Sequence, residues 1–197
     1  MSLERLLREV RACRVCGAHL PLGPRPILRL ASSARLLIIG QAPGSKVHDS
    51  GIPWSDASGD RLRDWMKLDR SVFYDESRVA IVPMGFCYPG AAKSSGDNPP
   101  RSECAPLWHE RALGHLPNLQ LTLLVGQYAQ RHYLRPVWNN SVTETVKAFS
   151  EYGPQFFPLP HPSWRSAIWM REHPWFEHTV IPALRELMQR LFASDVV

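Results

Sequence analysis

The sequence predicts an α/β protein: a three-layer α/β/α arrangement around a central, mainly parallel, four-stranded sheet. Three observations predict it. Short runs of Leu, Ile and Val recur along the chain, each closed by Gly or Pro. Between them lie segments whose apolar residues fall at helical spacing. Strands that alternate with helices pair in parallel, because each crossover returns the chain to the same edge of the sheet.

The elements follow in order. Ser2 to Arg11 sets Leu3, Leu6, Leu7 and Val10 on one face, the period of an amphipathic helix. A Pro-rich connection runs from Leu20 to Pro26. Arg35 to Gly40 reads as a buried strand, and Gln41 to Ser58 as a polar loop. Asp60 to Leu68 is expected to be helical, with Ser58 as its N-cap. Val79 to Pro83 is a second strand, followed by a long Gly-, Ser- and Pro-rich loop from Gly85 to Arg101. Glu103 to Leu116 is a helix and Leu119 to Val125 a third strand. Helices are expected from Ala129 to Tyr133 and from Thr143 to Phe149. Gln155 to Pro160 is a last short strand, His161 to Arg165 a loop, and Trp175 to Phe192 a closing helix. All 197 residues are read as one domain, with the helix and first two cysteines (1–30) packed on it.

Composition narrows the function classes. Hydrophobic residues are 44% and charged residues 21%, enough for a packed core and against disorder. No apolar run reaches membrane-spanning length, and the N-terminal residues lack the apolar stretch of a signal peptide, so a cytoplasmic protein is expected. A net charge of +5 permits a polyanionic partner. Eighteen prolines and twelve glycines place function in loops.

Cys13 and Cys16 form a C-x-x-C pair, and Cys87 and Cys104 stand in turn-rich contexts. Four convergent thiolates suit either tetrahedral zinc or a [4Fe–4S] cluster, and spacing does not choose between them. In a parallel sheet ligands bind beyond the carboxyl ends of the strands. That gathers the loops after Gly40, Pro83, Gly126 and Pro160 at one edge. Gly40-Gln-Ala-Pro-Gly44 follows a strand directly, with glycines that let the backbone approach a ligand and Pro43 stiffening the turn. His161-Pro-Ser-Trp-Arg165 places a histidine between two prolines.

Cys13-x-x-Cys16, Gly40 to Gly44, Gly51, Pro53-Trp54, Ser58-Gly59, Cys87, Glu103-Cys104, Leu124-Val-Gly126 and His161-Pro-Ser163 occur in that order. The ordered set resembles the uracil-DNA glycosylase superfamily, most closely its iron–sulfur branch, family 4. The resemblance implies a uracil-DNA glycosylase-like fold and a monofunctional DNA N-glycosylase. Such an enzyme acts in base excision repair on DNA carrying a damaged base, here expected as a monomer. It implies a [4Fe–4S] cluster on Cys13, Cys16, Cys87 and Cys104, with structural zinc as the alternative. It implies that His161 donates to the leaving base and that Trp54 stacks on it. Gly40, Ala42, Pro43, Gly44, Met84 and Ser163 are expected around the base. Lys46, Arg61, Lys93, Arg101, Trp164 and Arg165 are expected on the DNA.

The chain departs from the family at the acids. Gln41 replaces the acid of G-E-A-P-G, and Val47 the second acid. His48 and Asp49 are the nearest ionisable groups, and Asp49 is expected either to hold the attacking water or stabilise the oxocarbenium-like sugar, or else to cap a turn. Pro83 stands where the family reads uracil with an asparagine. Two alternatives stay open: a module that binds damaged or abasic DNA with little hydrolysis, and a glycosylase for another base such as hypoxanthine.

Overall fold

A computed structural model describes residues 2–135, 137–138 and 141–193. Its centre is a four-stranded sheet: β1 (Leu36–Ile39), β2 (Val79–Ile81), β3 (Leu121–Val125) and β4 (Phe156–Leu159). The spatial order is β2-β1-β3-β4 and every pairing is parallel. Leu36 lies beside Val79 on one side and Leu121 on the other, and Thr122 lies beside Phe156. The strands are apolar on both faces because helices cover both.

Leu36, Ile38, Ile81, Leu123 and Phe157 face a core completed by α3 (Ala57–Met66), the π-helical turn Phe176–Val180 and α9 (Ile181–Phe192). Leu37, Ile39, Ala80, Val82 and Leu124 face a second core with α1 (Leu3–Arg11), α5 (Cys104–Leu113) and α6 (Gln127–Tyr133). Ser2 caps α1, Leu6 and Val10 are buried, and Arg111 of α5 pairs with Glu9. The N-terminal helix is thereby fastened to the body of the protein.

The sheet order decides where the site lies. From β1 the chain crosses to β2 on one side, then returns past β1 to β3 on the other. The crevice at this reversal opens beyond the carboxyl ends of the strands. No helix among the described residues is long and apolar enough to cross a membrane.

Local details differ from the sequence reading. The expected polar loop 41–58 contains a short helix, α2 (Ser45–Ser50). It ends at Gly51, whose φ of 71° favours glycine; an added Cβ would lie 2.9 Å from the Arg25 guanidinium. Asp56, not Ser58, caps α3, accepting from the Gly59 N–H at 2.9 Å. Three further short helices are α4 (Arg70–Phe73), α7 (Val142–Lys147) and α8 (Ser166–Glu172). α4 and α8 were not legible because their apolar periodicity spans barely one turn or two.

Candidate functional site

Two loops build the cleft. The first leaves β1 at Gly40 and runs through Gln41, Ala42, Pro43 and Gly44, which all line a cavity of about 450 Å³. It is held from behind by the β2 loop: Met84 N–H donates to Gly40 C=O and Gly85 N–H to Gln41 C=O, both at 2.9 Å. The Gln41 amide nitrogen donates to Asn98 C=O at 3.0 Å.

The second loop begins at His161 beyond β4. Gln130, fully buried, donates to Leu124 C=O and Leu159 C=O and so ties the ends of β3 and β4 together just before it. Gly126, with φ of 85°, lies against the His161 side chain. Ser166 Oγ donates to Ser163 C=O at 2.6 Å and closes the turn.

Trp54 and His161 meet over this cavity, with ring centroids 5.8 Å apart and planes inclined by 34°. The indole rests on Gly40, where an added Cβ would come within 2.7 Å of it. Trp54 has a φ of 57°, a left-handed conformation that costs a bulky residue about 1–3 kcal/mol. Burial lowers the pKa of His161 from its ordinary value, while the charge of Asp56 opposes the shift. The imidazole is therefore neutral at neutral pH, and an uncharged ring can donate one N–H.

Two carboxylates face the same cavity, and the sequence reading named neither. Asp56 lines it while capping α3. Asp97 reaches in from the long loop after β2, its Oδ2 placed 3.3 Å from where a Gly44 Cβ would stand. Partial burial raises the pKa of Asp97, and the charge of Asp56 raises it further. The signals were present but ordinary: Asp56 precedes a helix and Asp97 sits in a Gly-Asp-Asn-Pro-Pro turn.

The structure brings together Gly40, Gln41, Ala42, Pro43, Gly44, Trp54, His161, Ser163, Trp164 and Arg165. It does not bring in Asp49, which is exposed on α2 outside the cavity lining. Its backbone carbonyl, like that of His48, accepts from Arg25. His48 is buried facing Tyr88, 6.2 Å between centroids. Both turned away because helix α2 replaces the loop. Met84 points into the core, and Pro83 takes the cavity position.

The expected DNA contacts also divide. Lys46, Lys93, Trp164 and Arg165 are exposed, Trp164 at 68%. The Arg165 guanidinium lies 5.3 Å from the Trp164 ring and donates to Ser95. Arg61 instead donates to the carbonyls of Pro162 (3.2 Å) and Ser163. Arg101 pairs with Glu103 at 2.7 Å and reaches the Cys16 thiol, beside the cysteines rather than the cleft.

Cys13, Cys16, Cys87 and Cys104 line one small pocket with Leu20, Pro24, Pro26, Phe86 and Trp108. All four are free thiols. Burial pushes Cys87 up to about 11 and Cys104 up to about 12. Phe86 N–H donates to Cys104 Sγ at 3.3 Å. Among the described residues no three His, Cys, Asp or Glu side chains are grouped as ligands of a single ion. The four thiols line this one pocket. An all-sulfur donor set between apolar walls fits a thiolate-held group, an iron–sulfur cluster and a structural zinc alike.

Compared with known families, residues 29–185 match the one described as the uracil DNA glycosylase superfamily.

Proposed function

Because the chain belongs to the uracil DNA glycosylase superfamily, we propose that its cleft receives a base flipped out of DNA and that the chain hydrolyses the N-glycosidic bond, most simply of uracil, leaving an abasic site. The observation that carries this reading is the meeting of an aromatic platform, Trp54, with a neutral, half-buried donor, His161, in a cleft that two carboxylates also face.

The roles follow from the chemistry. Trp54 offers a flat apolar surface on which an extruded base stacks. As the C1′–N bond breaks, its electron pair passes to the base, and charge gathers on the base oxygen. His161 donates an N–H there and stabilises the leaving anion. A water attacks C1′ and must lose a proton. Gln41 cannot take it, and its amide nitrogen is already committed to Asn98, so its oxygen only orients the water. Asp97 is the better acceptor, since one oxygen of Asp56 is engaged at the α3 N-terminus. In this reading the exposed Lys46, Lys93 and Arg165 contact phosphates and the exposed Trp164 enters the groove of the distorted duplex.

Cys13, Cys16, Cys87 and Cys104 are the residues that would hold a [4Fe–4S] cluster. Such a cluster supplies structural cross-linking when bound, fastening the C-x-x-C segment to α5 and to the loop after β2.

The test is excision from oligonucleotides carrying uracil, hypoxanthine, xanthine or thymine opposite guanine, in single and double strands. Uracil release is the expected outcome. Release of another base reassigns the substrate. Tight binding of abasic DNA without release of any base identifies a damage-binding protein instead.

A further inference from the structure

The sequence motifs account for Trp54 and His161 but not for what holds them in mutual register. Both are gripped from one helix. Arg61 and Arg63 stand two residues apart on α3, and their guanidinium groups reach opposite walls of the cleft. Arg61 donates to the carbonyls of Pro162 (3.2 Å) and Ser163, and lies 3.4 Å from Ser166 Oγ. Arg63 donates to Trp54 C=O at 3.1 Å. Tyr74 O–H donates to the same carbonyl at 3.0 Å.

Arg63 is an unusual residue to bury. Only 5% of it is exposed, and it lies against the rings of Phe73 and Tyr74 at 5.1 and 5.4 Å. Its ion-pair partner, Asp60, is itself largely exposed. Desolvating a guanidinium is costly, and this one is offset by bonds donated to Trp54 C=O, the Tyr74 hydroxyl at 3.0 Å and Asp60. The carbonyl it grips belongs to the one tryptophan of the cleft held with a positive φ. Gly59 admits that carbonyl: a Cβ there would lie 1.8 Å from the Trp54 oxygen. Bonds from two donors and a glycine-sized gap together oppose relaxation of Trp54 to an extended backbone.

We propose that Arg61 and Arg63 form a brace on α3 that sets the position of the Trp54 ring relative to His161, and so act as positioning residues for base excision. The brace rests on the glycosylase reading for its catalytic consequence, though not for its geometry. Neither arginine touches the base. Arg63 holds the stacking wall and Arg61 the donor wall. Because both side chains leave the same rigid turn of helix, the two walls cannot shift independently.

The test combines crystal structures of variants with single-turnover excision of the base that the panel identifies. Arg63→Met keeps side-chain bulk and removes the bonds donated to Trp54 C=O, the Tyr74 hydroxyl and Asp60; Tyr74→Phe is the milder variant should Arg63→Met fail to fold. In the structures, Trp54 is expected to leave the left-handed region in Arg63→Met, and the 161–165 loop to shift in Arg61→Met. Excision is expected to fall about 10- to 100-fold in each Met variant, the scale of an ångström-level misplacement, and severalfold in Tyr74→Phe. Trp54→Gly has neither a ring to aim nor a strained backbone to hold, so adding Arg63→Met to it is expected to cost less than about twofold. Variants that fold with Trp54 and His161 unmoved overturn the brace. So does an Arg63→Met penalty of equal size in the Trp54→Gly background. A wild-type protein that excises nothing overturns the glycosylase reading alone, and the variant structures then decide the brace.

Discussion

His161 and Asp97 show how one residue's surroundings set its chemistry. His161 follows an apolar strand and lies between Pro160 and Pro162, so its backbone has little freedom. Burial keeps the ring neutral. One such donor is typically worth roughly 100- to 1000-fold in rate, and His161→Ala is expected to lower single-turnover excision by that factor. Affinity for abasic DNA, measured by titration, should change little, because no charge develops in that complex. Asp97 carries the complementary prediction. Partial burial and Asp56 raise its pKa, so it binds a proton at a higher pH than an ordinary aspartate. If it accepts the proton of the attacking water, excision falls as pH drops through that raised value. Asp97→Asn should lower the rate at neutral pH and abolish this acid limb in a pH–rate profile. Asp49→Asn should leave the rate within about twofold, since Asp49 faces away from the cavity and exposed substitutions of this kind have small effects.

At the scale of elements, α5 and α6 determine the back of the cleft through one buried histidine. His109 Nε2 lies 2.9 Å from Pro83 C=O, and Nδ1 bonds the Tyr133 hydroxyl. A carbonyl only accepts, so Nε2 carries the proton and Nδ1 accepts from Tyr133. The loop that lines the cavity at Pro83 is thus pinned to both helices. Burial, helped by the neighbouring His132 and opposed by the hydrogen bond to Pro83, lowers the pKa of His109 to about 4. The folded state therefore binds fewer protons than the unfolded chain between about pH 6.5 and 4. The stabilising contribution of neutral His109 is complete above about pH 6.5 and is lost as pH falls toward 4. Melting temperature followed across that window should decline, and His109→Gln should flatten the decline. His109→Gln should also cost about 1–3 kcal/mol at pH 7, the penalty for imperfectly satisfied buried partners.

Over the whole molecule, the four cysteines join segments far apart in the chain. Cys13 and Cys16 follow α1, Cys87 follows β2, and Cys104 opens α5. A cluster there would cross-link the N-terminal segment to the body of the fold. Anaerobically purified protein is expected to be brown, with iron and acid-labile sulfide present, and Cys104→Ser to lose both the colour and part of the thermal stability. Colourless protein with stoichiometric zinc would assign the pocket to zinc; protein with neither would remove the metal site.

The legibility of this protein followed the range of the interactions involved. Strands such as Leu36–Ile39 and Leu121–Val125 were evident because burial on both faces demands a nearly continuous apolar run, interrupted only by Thr122 in the second. The Gly40–Gly44 turn, Trp54 and the His161 loop were evident because each motif is local in sequence. The tertiary structure decided what depends on residues distant in the chain. Arg61 lies about a hundred residues from the carbonyls it holds, and nothing in Asp-Arg-Leu-Arg distinguishes a brace from a solvated helix face. Asp97 reads as a turn former until the fold lays it against Gly44. Asp49 reads as a loop carboxylate until α2 forms and turns it outward. Local sequence thus determined which elements form and which motifs carry a site. The direction in which a side chain finally points depended on packing between elements, and a single sequence does not encode that packing by any short-range pattern.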